Sequence, residues 1–126
     1  MNIEKIKLIV EEVVPKLISK YGYSKFTDTV PYIEYEKNVF SEEEVLTDKD
    51  KEDCPYGEYD NLDNSIVLYY PKMKTKEQLI KTLIHEYQHY LQSPSWMTRY
   101  YNMGFNYNDH PYEVAARKEE INWKNL

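Results

Sequence analysis

The chain has 126 residues, 41% of them hydrophobic and 30% charged, which predicts one globular domain with a modest core. Its 22 acidic and 16 basic residues give a formal charge of −6, which argues against general binding to nucleic acid or to an anionic membrane. No apolar run approaches the roughly 18 residues of a membrane span, and the N-terminus lacks the pattern of a secretory signal. We therefore expect a single domain over residues 1–126, cytoplasmic and by default monomeric.

The N-terminal region predicts a helix and then a strand. Apolar residues at helical spacing indicate an amphipathic helix from about residue 2 to about residue 20: Ile3, Ile6, Ile9, Val10, Val13, Leu17 and Ile18. We expect Gly22 to end this helix and Pro15 to kink it or end its first segment. The mixed charges of its other face favour core packing over a membrane surface. The alternating residues Thr29–Tyr35 predict a strand, with Pro31 marking an edge or a bulge.

The segment Ser41–Asp53 is nearly all charged and predicts a solvated loop or a short surface helix. It lacks the glycine and the fixed acidic spacing of a calcium-binding loop. Cys54 is the only cysteine, so no intramolecular disulfide can form, and it has no partner at metal-ligand spacing. We interpret Cys54 as a structural or exposed thiol.

A strand, a turn and a second strand follow. They are predicted at Gly57–Asp60, Asn61–Asn64 and Ser65–Tyr70, and Pro71 ends the second strand. Because Ser65–Tyr70 directly precedes the next helix, we predict that it forms the rim of a cleft. An extended peptide could add to that rim through main-chain hydrogen bonds.

Three helices are predicted after the strands. Thr75 and Gln78 form a capping box, and the apolar stripe of the first helix consists of Leu79, Ile80, Leu83, Ile84, Tyr87 and Leu91. Ser93-Pro94 closes it, and a short helix from about Trp96 to Met103 ends before Gly104. Asp109-His110-Pro111 indicates a cap and a first-turn proline for the last helix.

The pentapeptide His85-Glu86-Tyr87-Gln88-His89 contains the residues that we expect to take part in catalysis. It fits the pattern H-E-x-x-H, and on a helix the residues i and i+4 share one face. His85 and His89 can then bind one zinc ion, while Glu86 can act as the general base for water. The alternative is an ordinary helix with two surface histidines. The apolar helix around the motif and a ligand downstream favour the zinc site.

Catalytic zinc usually takes a third protein ligand, and Glu113 fits best. It begins a helix that can fold back on the first, and the small residues that follow it allow close approach. The alternative role is a first-turn glutamate that favours the helix dipole. Glu120 is the second choice as ligand. His110 is an alternative ligand or a hydrogen-bond donor in the site, and we expect its ring to be mobile because it lies in the helix cap.

An oxyanion donor and a residue that orients Glu113 are also required. The candidates for the oxyanion donor are His110, Tyr112, Arg99, Tyr100 and Tyr101. Of these, we place His110 and Tyr112 in the catalytic set together with Glu86. Arg117 lies one turn after Glu113 and either orients it or forms a surface ion pair.

The chain resembles the gluzincin metallopeptidases through His85-Glu86-Tyr87-Gln88-His89 and through Glu113 followed by Ala116. It is most similar to the small minigluzincins and to ImmA/IrrE-like and phage-encoded proteins, over roughly residues 55–126. The metzincin pattern is excluded by Gln92 and Ser95. The resemblance implies zinc ligands at His85, His89 and Glu113 and a general base at Glu86.

The expected fold is α+β and zincin-like. It has an N-terminal helix, a small mostly antiparallel sheet, the zinc helix and a C-terminal helix carrying the third ligand. The expected function is hydrolysis of peptide bonds in a peptide or protein substrate. The alternative is a zinc-stabilised, peptide- or protein-binding regulatory module of phage or mobile-element origin without general proteolytic activity. We expect neither nucleic acid nor membrane as a partner.

Overall fold

Four helices and three strands form the part of the chain that the computed structural model describes, residues 1–37 and 56–126. The predictions for Ser41–Asp53 and for Cys54 lie outside these residues. The elements are α1 (Ile3–Tyr21), β1 (Tyr32–Glu36), β2 (Gly57–Asp60), β3 (Ser65–Tyr69), α2 (Lys76–Leu91), α3 (Pro94–Asn102) and α4 (Pro111–Glu119). Short 3-10 turns occupy Tyr70–Lys72 and Glu120–Asn125. The fold is α+β, as expected.

Helix α1 begins at an asparagine cap and runs through its proline. The Asn2 side chain accepts a hydrogen bond from the Lys5 amide at 2.8 Å, and Gly22 ends the helix with φ 77°. The helix does not end at Pro15, because this residue is exposed and the Glu11 carbonyl that loses its donor can be hydrated. The buried face of α1 consists of Ile6, Ile9, Val10, Val13 and Leu17.

The sheet is mixed, which corrects the expectation of a mostly antiparallel sheet. Its strand order is β1-β3-β2, with β1 parallel to β3 and β2 antiparallel to β3. The tight turn after Asp60, in which Asn64 has φ 51°, makes β2 and β3 a hairpin. Strand β1 has no such hairpin to β2. The chain between them is long enough to place β1 on the other side of β3.

Strand β3 lies in the middle of the sheet, so the prediction that it forms a cleft rim is wrong. All five of its residues are buried. Ile66, Val67 and Leu68 are a continuous apolar run rather than an alternating one, and such a run is typical of a strand covered on both faces. The strand next to the zinc-motif helix is β2, which is an edge of the sheet formed by the described residues.

Helix α2 is the centre of the fold and contacts α1, α4 and the sheet. Its predicted capping box is present, with the Gln78 amide donating to the Thr75 hydroxyl at 3.1 Å. Its buried apolar side chains fill the core together with α1 and β3: Leu79, Ile80, Leu83, Ile84, Tyr87 and Tyr90. The Tyr87 hydroxyl donates to the Gly22 carbonyl at 2.5 Å and ties the two helices together. This packing fixes α2 as a rigid support for the motif.

Helices α3 and α4 follow α2 closely. Helix α3 begins at the Ser93 cap and ends before Gly104, whose φ is 99°. Helix α4 begins at Pro111 with His110 as its cap. Among the described helices, none is both long and apolar enough to cross a bilayer.

Candidate metal centre

The three residues of the motif lie on the side of α2 that faces the cleft and α4. Glu86 is 7% exposed, and the His85 and His89 side chains are 11% and 8% exposed. The two imidazole rings stand one helical turn apart, with their centroids separated by 4.9 Å. The alternative of two surface histidines therefore does not hold.

Glu113 from α4 meets both histidines. Its Oε2 lies 3.0 Å from His85 Nε2, and its Oε1 lies 2.8 Å from His89 Nε2. One ligand atom from each of the three residues lies within 4.8 Å of the others. Ligand atoms that share one zinc ion at about 2.0–2.2 Å lie roughly 3–4 Å apart. The cluster can therefore hold a metal ion, and its two imidazoles and one carboxylate are a donor set that catalytic zinc uses.

Helix α4 reaches the cluster because its first turn is fixed and its contact face is small. Pro111 occupies the first turn, and Glu113 follows within that turn. Ala116, one turn further on, is fully buried and lets α4 approach α2 closely. The predicted roles of Pro111 and of the small residues are thus present in the structure.

The outer nitrogen of each histidine also has a partner. His85 Nδ1 lies 2.9 Å from Glu120 Oε2, and His89 Nδ1 lies 2.6 Å from Gln92 Oε1. The Gln92 amide nitrogen in turn donates to the Tyr112 carbonyl at 3.1 Å. Such partners hold each ring with Nδ1 protonated, which leaves the Nε2 lone pair for a metal. Glu120, the second choice as ligand, is thus a hydrogen-bond partner of the candidate ligand His85.

Glu120→Ala is expected to weaken zinc binding about 10- to 100-fold, because His85 loses the carboxylate that orients it. The matched control is Glu119→Ala, since the Glu119 carboxylate accepts from the Tyr21 hydroxyl and is not a partner of His85. Competition with a chelating dye measures both affinities. Equal affinity in Glu120→Ala and wild type would show that this contact does not position the ring.

The groups of the cluster strongly shift one another's pKa values. Burial opposes the charged form of His85, but hydrogen bonds to Glu113 and Glu120 outweigh it and raise the pKa of His85 to about 10. For His89, burial is likewise outweighed by Glu113 and Glu86, and its pKa is raised. The pKa of Glu113 is lowered by both histidines against the effect of burial. Burial raises the pKa of Glu86 to about 7, partly offset by His89 and His85.

Zinc uptake near neutral pH is expected to release protons. Zinc binds only the neutral imidazole, and the pKa of about 10 keeps His85 protonated at pH 7, while the pKa of His89 is also raised. Apparent zinc affinity should therefore rise with pH, about tenfold per pH unit for each proton displaced. Calorimetric titration in buffers of different ionisation enthalpy counts the protons released. A binding enthalpy independent of the buffer would contradict the prediction.

A cleft of about 630 Å³ opens beside the cluster. Its lining residues come from β2, the C-terminal half of α2, α3, the segment before α4 and the first turn of α4, and they include Gly57, Glu58, Tyr59, Glu86, His89, Tyr101, Tyr107 and Glu113. The metal-binding cluster therefore borders a cavity large enough for several side chains of a ligand.

His110 and Tyr112 do not line this cleft. His110 is fully buried, with Nε2 3.0 Å from the Met97 carbonyl oxygen and Nδ1 accepting from the Tyr112 amide at 3.1 Å. The expectation of a mobile ring in the cap is therefore wrong. Both nitrogens of His110 form hydrogen bonds within the α3–α4 connection, and Tyr112 does not line the cleft. Neither His110 nor Tyr112 is therefore in position to act as an oxyanion donor.

The other candidates from the sequence occupy different places. Arg99 stacks on Trp96, and Tyr100 packs its ring against Tyr112. Arg117 donates to the Asn108 carbonyl, and among the described residues it forms neither an ion pair nor a hydrogen bond with Glu113, its two expected roles. Of these residues, only Tyr101 lines the cleft.

Sequence reasoning did not find Tyr107. Its side chain lines the cleft together with Glu113. Burial, with the Glu113 and Glu86 carboxylates, raises the pKa of Tyr107 to about 12, so the hydroxyl stays protonated at neutral pH. Tyr107 lies between two helices in an irregular segment, where no periodic pattern marks it.

Comparison of the chain with protein-family models, with curated proteins and with solved structures finds no match.

Proposed function

We propose that this protein is a zinc-dependent peptidase. The observation that carries the proposal is the convergence of His85, His89 and Glu113 at 2.8–3.0 Å contacts, with the buried Glu86 on the same side of α2. Two histidines and one glutamate hold zinc, and zinc polarises a carbonyl group and activates water when it is bound. The cleft beside them gives a peptide access.

Glu86 is the proposed general base. Its carboxylate lies on the same side of α2 as the two histidines, where it can accept a proton from the attacking water and return it to the leaving amine. Because this side chain is only 7% exposed, its packing restricts the carboxylate, so little reorganisation is needed as the proton moves.

Tyr107 is the proposed donor to the oxyanion that develops on the scissile carbonyl. Its side chain lines the cleft together with Glu113, and its hydroxyl keeps its proton at neutral pH. A protonated hydroxyl in the cleft can donate a hydrogen bond to the substrate oxygen.

Tyr107→Phe is expected to lower kcat about 10²- to 10³-fold with little change in zinc content, because only the hydroxyl is lost. Tyr23→Phe is the matched control, since this tyrosine is 67% exposed and does not line the cleft. Steady-state rates on a common peptide decide the result. Unchanged turnover in Tyr107→Phe would assign oxyanion stabilisation to another group.

Strand β2 offers main-chain groups to a peptide. The Tyr69 amide donates to the Tyr56 carbonyl at 2.9 Å, which makes these opposite residues a hydrogen-bonded pair. Because such pairs alternate in an antiparallel ladder, the main-chain groups of Glu58 face β3, whereas those of Gly57 and Tyr59 face the other edge. In the described part of the chain no strand pairs with that edge, which borders the cleft. An extended peptide could add there.

The test combines metal analysis with hydrolysis. Protein purified at neutral pH should contain one zinc per chain, and zinc-loaded protein should cleave members of a short-peptide library in a chelator-sensitive way. Zinc bound without cleavage of any peptide or candidate partner protein would favour the binding module instead. Failure to bind zinc would overturn the proposal.

A further inference from the structure

The charge of the cleft points to a class of peptide. In the described residues, the acidic residues that line the cleft are Glu58, Glu86 and Glu113, and no lysine or arginine lines it. Glu86 and Glu113 belong to the site described above. Glu58 does not, because it lies on the edge strand β2.

The side chain of Glu58 is on the face of the sheet opposite α2. A Cβ at Gly57 would meet the Thr82 side chain of α2, and the Tyr59 ring packs against Tyr90 of α2. Successive side chains of a strand alternate in direction, so Glu58 points the other way. There its Oε1 accepts a hydrogen bond from the Tyr69 hydroxyl at 2.6 Å, which fixes the carboxylate.

Within residues 1–37 and 56–126, no lysine or arginine forms a salt bridge with Glu58. Among these residues, the hydrogen-bond donor to its carboxylate is the neutral Tyr69 hydroxyl, which does not cancel the negative charge. The residue is exposed on its strand.

A peptide added to the free edge of β2 would place one residue directly opposite Glu58. If the peptide runs antiparallel to β2, it bonds to the main chain of Gly57 and Tyr59, and the residue opposite Glu58 occupies a non-hydrogen-bonded position. Side chains are closest at such positions, with Cα atoms about 4.5 Å apart. Opposite charges in this arrangement attract, and like charges repel.

We propose that Glu58 selects a lysine or arginine side chain at the peptide position opposite it, so that the preferred ligands are basic peptides. This inference rests on the proposed peptide-binding function of the cleft. It adds a residue that sets specificity and does not touch the metal cluster.

The test measures binding apart from hydrolysis. Zinc-loaded Glu86→Gln protein is titrated with fluorescent peptides in which each position in turn holds lysine, glutamine or glutamate. One position should favour lysine over glutamine about two- to fivefold, and glutamate should be disfavoured there. Glu58→Gln should remove this preference, since glutamine keeps the acceptor for the Tyr69 hydroxyl but not the charge. Glu58→Lys should reverse it.

Glu34→Gln is the matched control. Glu34 and Glu58 both pair with Val67, from opposite sides of β3, so they share one face of the sheet. Glu34 lies on the edge strand away from the cleft, and its loss should leave the lysine preference unchanged.

The outcomes separate this inference from the proposed hydrolysis. A lysine preference that depends on Glu58 supports the inference even if wild type cleaves no peptide. Peptides cleaved with no lysine preference at any position, or an equal loss of preference in Glu34→Gln and Glu58→Gln, overturn it while hydrolysis stands. Failure of every peptide to bind also overturns it.

Discussion

Replacing Glu86 with glutamine is expected to lower kcat about 10²- to 10⁴-fold while zinc stays bound. Glutamine has nearly the same shape, so the packing around this 7% exposed side chain should be kept. It cannot accept the proton of water, however, and the reaction loses its base. Steady-state kinetics with metal analysis on the same sample measures both effects.

The matched control is Glu77→Gln, which removes an acid from the first turn of the same helix. Glu77 forms an exposed ion pair with Lys81 at 3.0 Å, and its loss should change stability by well under about 1 kcal/mol and leave turnover unchanged. Full activity in Glu86→Gln would show that Glu86 is a structural residue of α2. Loss of zinc in that variant would show that its role lies in shaping the metal site.

The second large effect is expected for Glu113→Ala, which should weaken zinc binding more than about 100-fold. Loss of a ligand exceeds the 10- to 100-fold loss typical of its hydrogen-bonded partners. Only His85 and His89 then remain as donors in the cluster. Calorimetric zinc titration at fixed pH gives the affinity.

His110→Ala is the informative comparison, because this histidine was the rival candidate for ligand. It should keep zinc affinity within about tenfold, since His110 is bonded to Met97 and Tyr112 and does not belong to the cluster. It should instead lower the free energy of unfolding, because a buried ring and a helix cap are lost. Weak zinc binding in His110→Ala with normal binding in Glu113→Ala would reverse the assignment.

The metal cluster could be predicted because local rules determine most of it. Helical spacing alone puts His85 and His89 on one face, and the capping box and apolar stripe locate their helix. Glu113 follows from a first-turn proline and from a small residue, Ala116, that allows close helix packing. Each signal lies within a few residues of the group it places.

The features that were missed depend on contacts between distant segments. The continuous apolar run of β3 indicates that this strand is buried on both faces. Which strand pairs with β3 on each side depends on the long connection that follows β1. His110 could be placed at the cap, but its burial depends on the rings of Tyr100 and Tyr101 from α3. Tyr107 lines the cleft from an irregular segment, where side-chain direction follows from the whole fold.

Gly57 determines how closely strand β2 can approach helix α2 at the cleft. A Cβ built at this residue would lie 2.8 Å from the Thr82 methyl carbon and 2.8 Å from the Val67 carbonyl oxygen. Both neighbours belong to elements packed in the core, so any larger residue would force β2 away from α2. The absence of one methyl group thus brings the main chain of the edge strand close to the helix that carries the histidines. Substitution at position 57 is therefore a direct way to change the distance between β2 and α2 without altering the side chains of the metal cluster or of Glu86.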